Sequence, residues 1–306
     1  MVKGFIILQL LISIVGSSAL VNPYSANFLI KQFCAVLFTL AFLITEFLTY
    51  LERRLGYYAA RRTVYSICFV VGKKENSKMT NYVMEPAQQV SLPVRGSDAV
   101  FPVRRIYCIG RNYADHAIEM GHDPDKEPPF FFQKNAENVD TSGEFPYPPQ
   151  TSDVHFEMEM IVALKSGGVD IREEDALDHV FGYGLGLDMT RRDLQGEAKK
   201  MGRPWEIGKA FEKSAPMSEL VPASDTGHLD QGRIALEVNG ADRQIGDLNQ
   251  MIWKVPEMIA YLSRFYDIAA GDLIMSGTPA GVGPIERGDV MIGEVEGIGS
   301  FTVTVV

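Results

Sequence analysis

Residues 155–164 read HFEMEMIVAL, and the class of fold turns on this stretch. Apolar and polar residues alternate at first, then the run becomes wholly apolar, as in a strand that enters a core. Downstream, FGYGLGLDM (181–189) is a second strand with glycines at 182, 184 and 186 on one face, which allows a neighbouring element or ligand to approach the backbone closely. Upstream, Ile106–Ile109 and Phe130–Gln133 read as short apolar strands flanking the turn Gly110-Arg111-Asn112-Tyr113. A helix is expected over Asp115–Met120, and the breaker-rich 121–129 (GHDPDKEPP) is expected to be a mobile loop. Ile234–Val238 and Ala241–Ile245 flank Asn239-Gly240, the signature of a two-residue type I′ hairpin. Short helices are predicted over 172–179, Arg191–Lys200 (stopped near Gly202) and Pro256–Phe265, the last with Pro in its first turn. Leu273–Met275, Val290–Val295 and Ser300–Val305 close the chain as strands. Many short strands with few helices point to a β-rich α+β fold rather than a doubly wound sheet.

The 306 residues allow one large domain or two modest ones. Residues 1–78 hold nine Lys/Arg against three Glu, so the remainder carries 20 basic against 36 acidic residues. That acidity disfavours nucleic acid as a partner. Of the three cysteines only Cys108 lies in the globular part, and no zinc-type spacing is present, in keeping with a reducing, cytoplasmic setting. Cys108 reads as a small core residue. Residues 4–21 and 33–51 are apolar, and Arg53, Arg54, Arg61 and Arg62 follow. A signal peptide, a membrane hairpin or a start placed too early each fit them. The late start is the expectation: composition changes after Lys78, and Met79 opens an ordinary soluble N-terminus. The organisation expected is therefore a hydrophobic extension (1–78), an arm (79–103) and a catalytic domain (104–306), with membrane association only if 1–51 is translated.

Chemistry centres first on Glu157 and Glu159, two apart in a strand and so on one face. If the face is buried, the pair needs a cation, and oxygen ligands favour Mg²⁺, Mn²⁺ or Ca²⁺. A solvated edge strand fits the spacing equally. Asp188 could complete a three-oxygen set or stand near a helix N-terminus. His116 and Glu119 share a helix face and suit a water-activating pair under a lid, or a plain surface pair. Lys209, among apolar neighbours, either snorkels to water or meets an anion. The loop 277–283 (GTPAGVG) is no Walker motif; it could offer N–H groups and the Thr278 hydroxyl to a carboxylate, or be a turn.

Taken together, these stretches resemble the fumarylacetoacetate hydrolase family. The residues that carry the resemblance are Gly110–His116, His155–Glu159, Leu187–Thr190 with Arg192-Asp193, Gly208–Phe211 and Ser276–Gly283. Within it, Met79–Asn138 is similar to the fumarylpyruvate hydrolases of bacterial gentisate degradation, with Asn135 a departure from their usual Pro or Ser. The resemblance implies a mixed β-roll, usually a homodimer, and metal-dependent hydrolysis of a carbon–carbon bond in a 2,4-diketo acid such as fumarylpyruvate. It implies Glu157, Glu159 and Asp188 as metal ligands, with Mg²⁺ or Mn²⁺ (Ca²⁺ also suits), and His116 with Glu119 as a lid dyad. Lys209, Gln195 and Thr278 would line the substrate site, with Lys209 on the oxyanion. Arg111 and Arg192, by charge, would meet a distal carboxylate. Oxaloacetate decarboxylation, 2-oxo-dienoate isomerisation or hydration, and non-enzymatic binding of metal-chelated dicarboxylates are the rival readings.

Overall fold

Strand-forming segments buried on both faces build the centre of the molecule. The computed structural model describes residues 82–114 and 129–306. The extension 1–78, the start at Met79, and the helix and loop expected over 115–128 fall outside the described residues. Six strands form the main sheet in the order Val221–Pro222, Val180–Leu187, Met158–Leu164, Asp272–Met275, Arg105–Gly110, Phe130–Lys134. Asp272–Met275 runs parallel to Arg105–Gly110, and the other pairs are antiparallel. Strand periodicity divides its side chains between two cores. Met158, Met160, Val162, Tyr107 and Ile274 face one; Ile161, Ala163, Cys108, Leu273 and Met275 face the other. This two-sided burial is why 158–164 loses its alternation. Burial pushes the Cys108 thiol well up, as suits an inert core residue.

A five-stranded sheet packs against the first core. Its order is Ala241–Asp247, Arg233–Val238, Val290–Val295, Gly299–Val305, Glu144–Phe145. The hairpin turn is the expected one: Asn239 and Gly240 both have positive φ, 54° and 76°. A small sheet, Thr190–Arg191, Val154–Phe156, Gly283–Pro284, sits at the mouth of the main one. Within 79–103, Ser91–Pro93 pairs with Val100–Pro102, and Leu92 and Phe101 are buried in the second core. The sheets carry most of the ordered backbone, so the fold is α+β and β-rich, and the unit runs from Pro86 to Val306.

Three local details differ from expectation. Residues 155–164 are two strands, Val154–Phe156 and Met158–Leu164, broken at Glu157. Residues 173–179 are 3₁₀ rather than α-helical. The helix expected over 256–265 spans Val255–Leu262. The glycine face of 181–189 receives the close approach foreseen: a Cβ on Gly182 would stand 2.2 Å from the Val221 carbonyl oxygen.

Candidate active site

The break at Glu157 shapes the site. Its carbonyl accepts the Asp188 N–H at 2.8 Å, and Thr190 pairs with His155, so the ends of two strands are tied side by side. Glu159 projects from the first turn of the next strand opposite Gly186. One carboxylate oxygen each from Glu157, Glu159 and Asp188 then falls within 4.8 Å of the others, and all three residues are buried. Like charges this close need a compensating cation.

The protein supplies part of that charge itself. Lys209, 2% exposed, donates to Glu157 Oε2 at 2.9 Å, Asp188 Oδ2 at 2.7 Å and Thr190 Oγ1 at 2.7 Å, which uses all three of its N–H groups. Burial lowers its pKa, but Asp188 and Glu157 more than offset this and the net direction is up. Arg192 donates to Glu157 Oε1 at 2.6 Å and to Gln195 Oε1 at 2.8 Å. A second buried lysine, Lys134, lies 2.9 Å from Asp188 Oδ1 as an ion pair and donates to the carbonyls of Met189 and Lys209. The ion pair lacks the alignment of a hydrogen bond, so Asp188 Oδ1 is a buried oxygen with no hydrogen-bond donor. Glu159 has a single donor, the Gly277 N–H at 2.9 Å. Burial, then Asp188 and Glu157, push the Glu159 carboxyl well above the usual carboxylate range.

These observations test a metal. Three buried carboxylates converge, one oxygen lacks a donor, and the Glu159 carboxyl is pushed up by burial and by its two carboxylate neighbours. Such a set fits a hard divalent ion such as Mg²⁺ or Mn²⁺.

Loop geometry places the remaining side chains. Gly277 has φ +94°, and a Cβ there would lie 2.6 Å from Asn112 Cβ. Fully buried Asn112, from the turn Gly110–Tyr113, donates to the carbonyls of Ser276 (2.8 Å) and Trp253 (2.9 Å) and accepts from Trp253 N–H (2.7 Å). It thereby pins the loop that offers the Gly277 N–H. Thr278 Oγ1 accepts from Gln244 Nε2 at 2.8 Å, and Gln244 also takes the Met158 N–H.

A cavity opens over the cluster. Arg111, Glu157, Glu159, Asp188, Arg192, Gln195, Lys209 and Thr278, all singled out in the sequence, line it. His116 and Glu119 lie outside the described residues. Sequence reasoning missed Lys199, Trp205, Phe130 and Phe132 on the cavity wall, and Lys134, Thr190 and Gln244 behind it. For Lys199 a signal existed: Arg192, Gln195 and Lys199 follow helical spacing and share one face. For Lys134 and Gln244 there was none, because their partners are remote in sequence.

The chain is similar to known proteins in both sequence and fold. The family profile described as Fumarylacetoacetate (FAA) hydrolase C-terminal matches residues 105–306. The chain is 46% identical over 189 residues to a fumarylpyruvate hydrolase from Ralstonia sp, covering 61% of this chain and 98% of that protein. It is 40% identical over 190 residues to an oxaloacetate tautomerase from Escherichia coli (strain K12), covering 62% of this chain and 87% of that one. A crystal structure of fumarylpyruvate hydrolase from Pseudomonas aeruginosa, in complex with Mn²⁺ and pyruvate, superposes with a TM-score of 0.73 at 53% identity, covering 74% of this chain and 99% of that chain. The chain described here belongs to the fumarylacetoacetate hydrolase family.

Proposed function

We propose that this protein hydrolyses the carbon–carbon bond of an acylpyruvate, with fumarylpyruvate as the substrate that fits best, giving fumarate and pyruvate. The observation that carries the reading is one cavity lined by a buried three-carboxylate cluster and by cationic side chains. The likeness to fumarylpyruvate hydrolases from Ralstonia sp and Pseudomonas aeruginosa supports it.

Glu157, Glu159 and Asp188 would hold the ion. When bound, a divalent ion supplies Lewis-acid polarisation of an α-keto acid. Lys209 and Arg192 keep the carboxylates convergent through the bonds given above. For Lys209 to meet an oxyanion as well, one of its three bonds must be exchanged. Thr278 and Gln195 present polar groups to the bound acid. His116, oriented by Glu119, is assigned on the sequence to take a proton from the attacking water. Water delivers hydroxyl to the acyl carbon, and the pyruvate carbon receives the proton. Homodimeric assembly, a cytoplasmic location and a place in gentisate breakdown belong to the same reading. Among the described residues no helix is long and apolar enough to cross a membrane.

A second reading, proton transfer on or decarboxylation of oxaloacetate, is favoured by the likeness to the tautomerase. It needs the same ion site but no attacking water. The test follows the ultraviolet enol absorbance of fumarylpyruvate with Mg²⁺ or Mn²⁺, with and without EDTA. Metal-dependent loss with fumarate and pyruvate as products is expected. Inertness toward fumarylpyruvate with turnover of oxaloacetate would replace the first reading by the second.

A further inference from the structure

Several cations line the cavity, and among the described residues one of them has no ion-pair partner. The aromatic wall is built by Phe130, Phe132 and Trp205: Trp205 meets Phe130 edge-on at 5.4 Å and Phe132 at 5.6 Å between ring centres. Each ring carries a cation. Lys209 Nζ lies 5.1 Å from the Phe132 ring, the Arg111 guanidinium 5.0 Å from Phe130, and Lys199 Nζ 6.0 Å from Trp205.

The cations of the cavity differ in what else they hold. Lys209 is bound to Glu157 and Asp188. Arg192, on the same helix face as Lys199, is committed to Glu157 and Gln195. The ammonium of half-buried Lys199 makes neither a hydrogen bond nor an ion pair among the described residues, and it lies over the Trp205 face. Burial, then Arg111 and Arg192, hold its pKa below the ordinary lysine value, with Glu157 opposing. A cation kept half out of water beside two others, facing a cavity, is an arrangement that an anion completes.

We infer that Lys199 is a specificity-determining residue: its ammonium, at the cationic part of the aromatic wall, takes the second carboxylate of a substrate whose α-keto acid end lies at the carboxylate cluster, so that diacids are selected over acylpyruvates with a neutral acyl group. The inference rests on the acylpyruvate reading above for the placement of the α-keto acid. It assigns to Lys199 the contact that charge alone suggests for Arg111 and Arg192. The indole face keeps the lysine stem from folding away, and the ring panel suits the flat, unsaturated chain between two carboxyl groups.

The test uses the full chain as wild type, Lys199→Met and Lys199→Arg. Fumarylpyruvate and acetylpyruvate differ in the distal carboxylate. Removing a charge-assisted contact costs on the order of tenfold or more. The preference for fumarylpyruvate in kcat/KM is therefore expected to fall about tenfold or more in Lys199→Met, chiefly through KM, and to be kept in large part by Lys199→Arg. An unchanged preference, or equal losses on both substrates, overturns the inference. Calorimetric titration with fumarate and with crotonate, which lacks one carboxylate, reads the same contact without turnover. Wild-type preference for fumarate that Lys199→Met abolishes supports the subsite even if hydrolysis is absent and the functional reading fails. Equal binding of the two acids by the wild type overturns it even if hydrolysis is present.

Discussion

Replacing Lys134 by Met tests how Asp188 is held. The Lys134 side chain is fully buried, its ammonium 2.9 Å from Asp188 Oδ1 and bonded to the carbonyls of Met189 (3.2 Å) and Lys209. Methionine keeps the stem's volume but removes the charge and three donors. Breaking a buried pair by removing one partner costs about 3–5 kcal/mol, because the other charge is left uncompensated. Lys209 still holds Asp188 Oδ2, so the lower end applies. For a folded unit of this size, about 3 kcal/mol corresponds to a fall of roughly 6–12 °C in Tm. Thermal unfolding in EDTA should show that drop, and saturating Mn²⁺ should recover part of it by restoring positive charge beside Asp188. Combining Lys134→Met with Asp188→Asn isolates the pair: the double variant should lose less than the sum of the single losses. Strict additivity, or a drop under about 2 °C for Lys134→Met without metal, would show that the ammonium is not what balances Asp188.

Two further outcomes follow from backbone and burial. Gly277→Ala forces a side chain into φ +94° and a Cβ to within 2.6 Å of Asn112 Cβ, so a loss of about 2 kcal/mol or more is expected by calorimetry. Because the Gly277 N–H bonds Glu159, weaker Mn²⁺ binding should accompany that loss; intact affinity would detach the loop from the site. Tyr183 is pushed up from 10.0 to about 12 by burial, with its hydroxyl 2.9 Å from His228 Nδ1. Between those values the folded chain keeps a proton that the unfolded chain has lost, so this group's contribution is present below the lower value and fades as pH rises through the upper one. Tyr183→Phe should therefore flatten the fall of stability across that alkaline range, and an unchanged slope in denaturant titrations would refute it.

What the sequence makes legible is set by the range of the interactions. The strand periods and the Asn239-Gly240 turn are local, and they stand where expected. The cluster was reached by a geometry that only partly holds. Glu157 and Glu159 were read as neighbours on one face of a continuous strand, yet the strand breaks at Glu157, whose carbonyl takes the Asp188 N–H 31 positions on. The carboxylates converge because a second chain segment is tied to the break, which no spacing within 155–164 can reveal. Lys134 shows the converse. It ends the strand Phe130–Lys134, and the partners of its buried ammonium, Asp188 and the Lys209 carbonyl, come from segments remote in sequence.

The charges of the completed site also bear on what it binds. Lys134, Lys209 and Arg192 serve Asp188 and Glu157, whereas Glu159 has only the Gly277 N–H. Burial first, then Asp188 and Glu157, push the Glu159 carboxyl up, so an added cation would favour its ionised form. Three internal cations already match three carboxylates. With a divalent ion in place the cluster would carry two positive charges in excess among the described residues, before Lys199 is counted. A monoacid returns one negative charge to this low-dielectric cavity and a diacid returns two. Unbalanced charge is costly there, so the charges of the described residues favour the diacid proposed above.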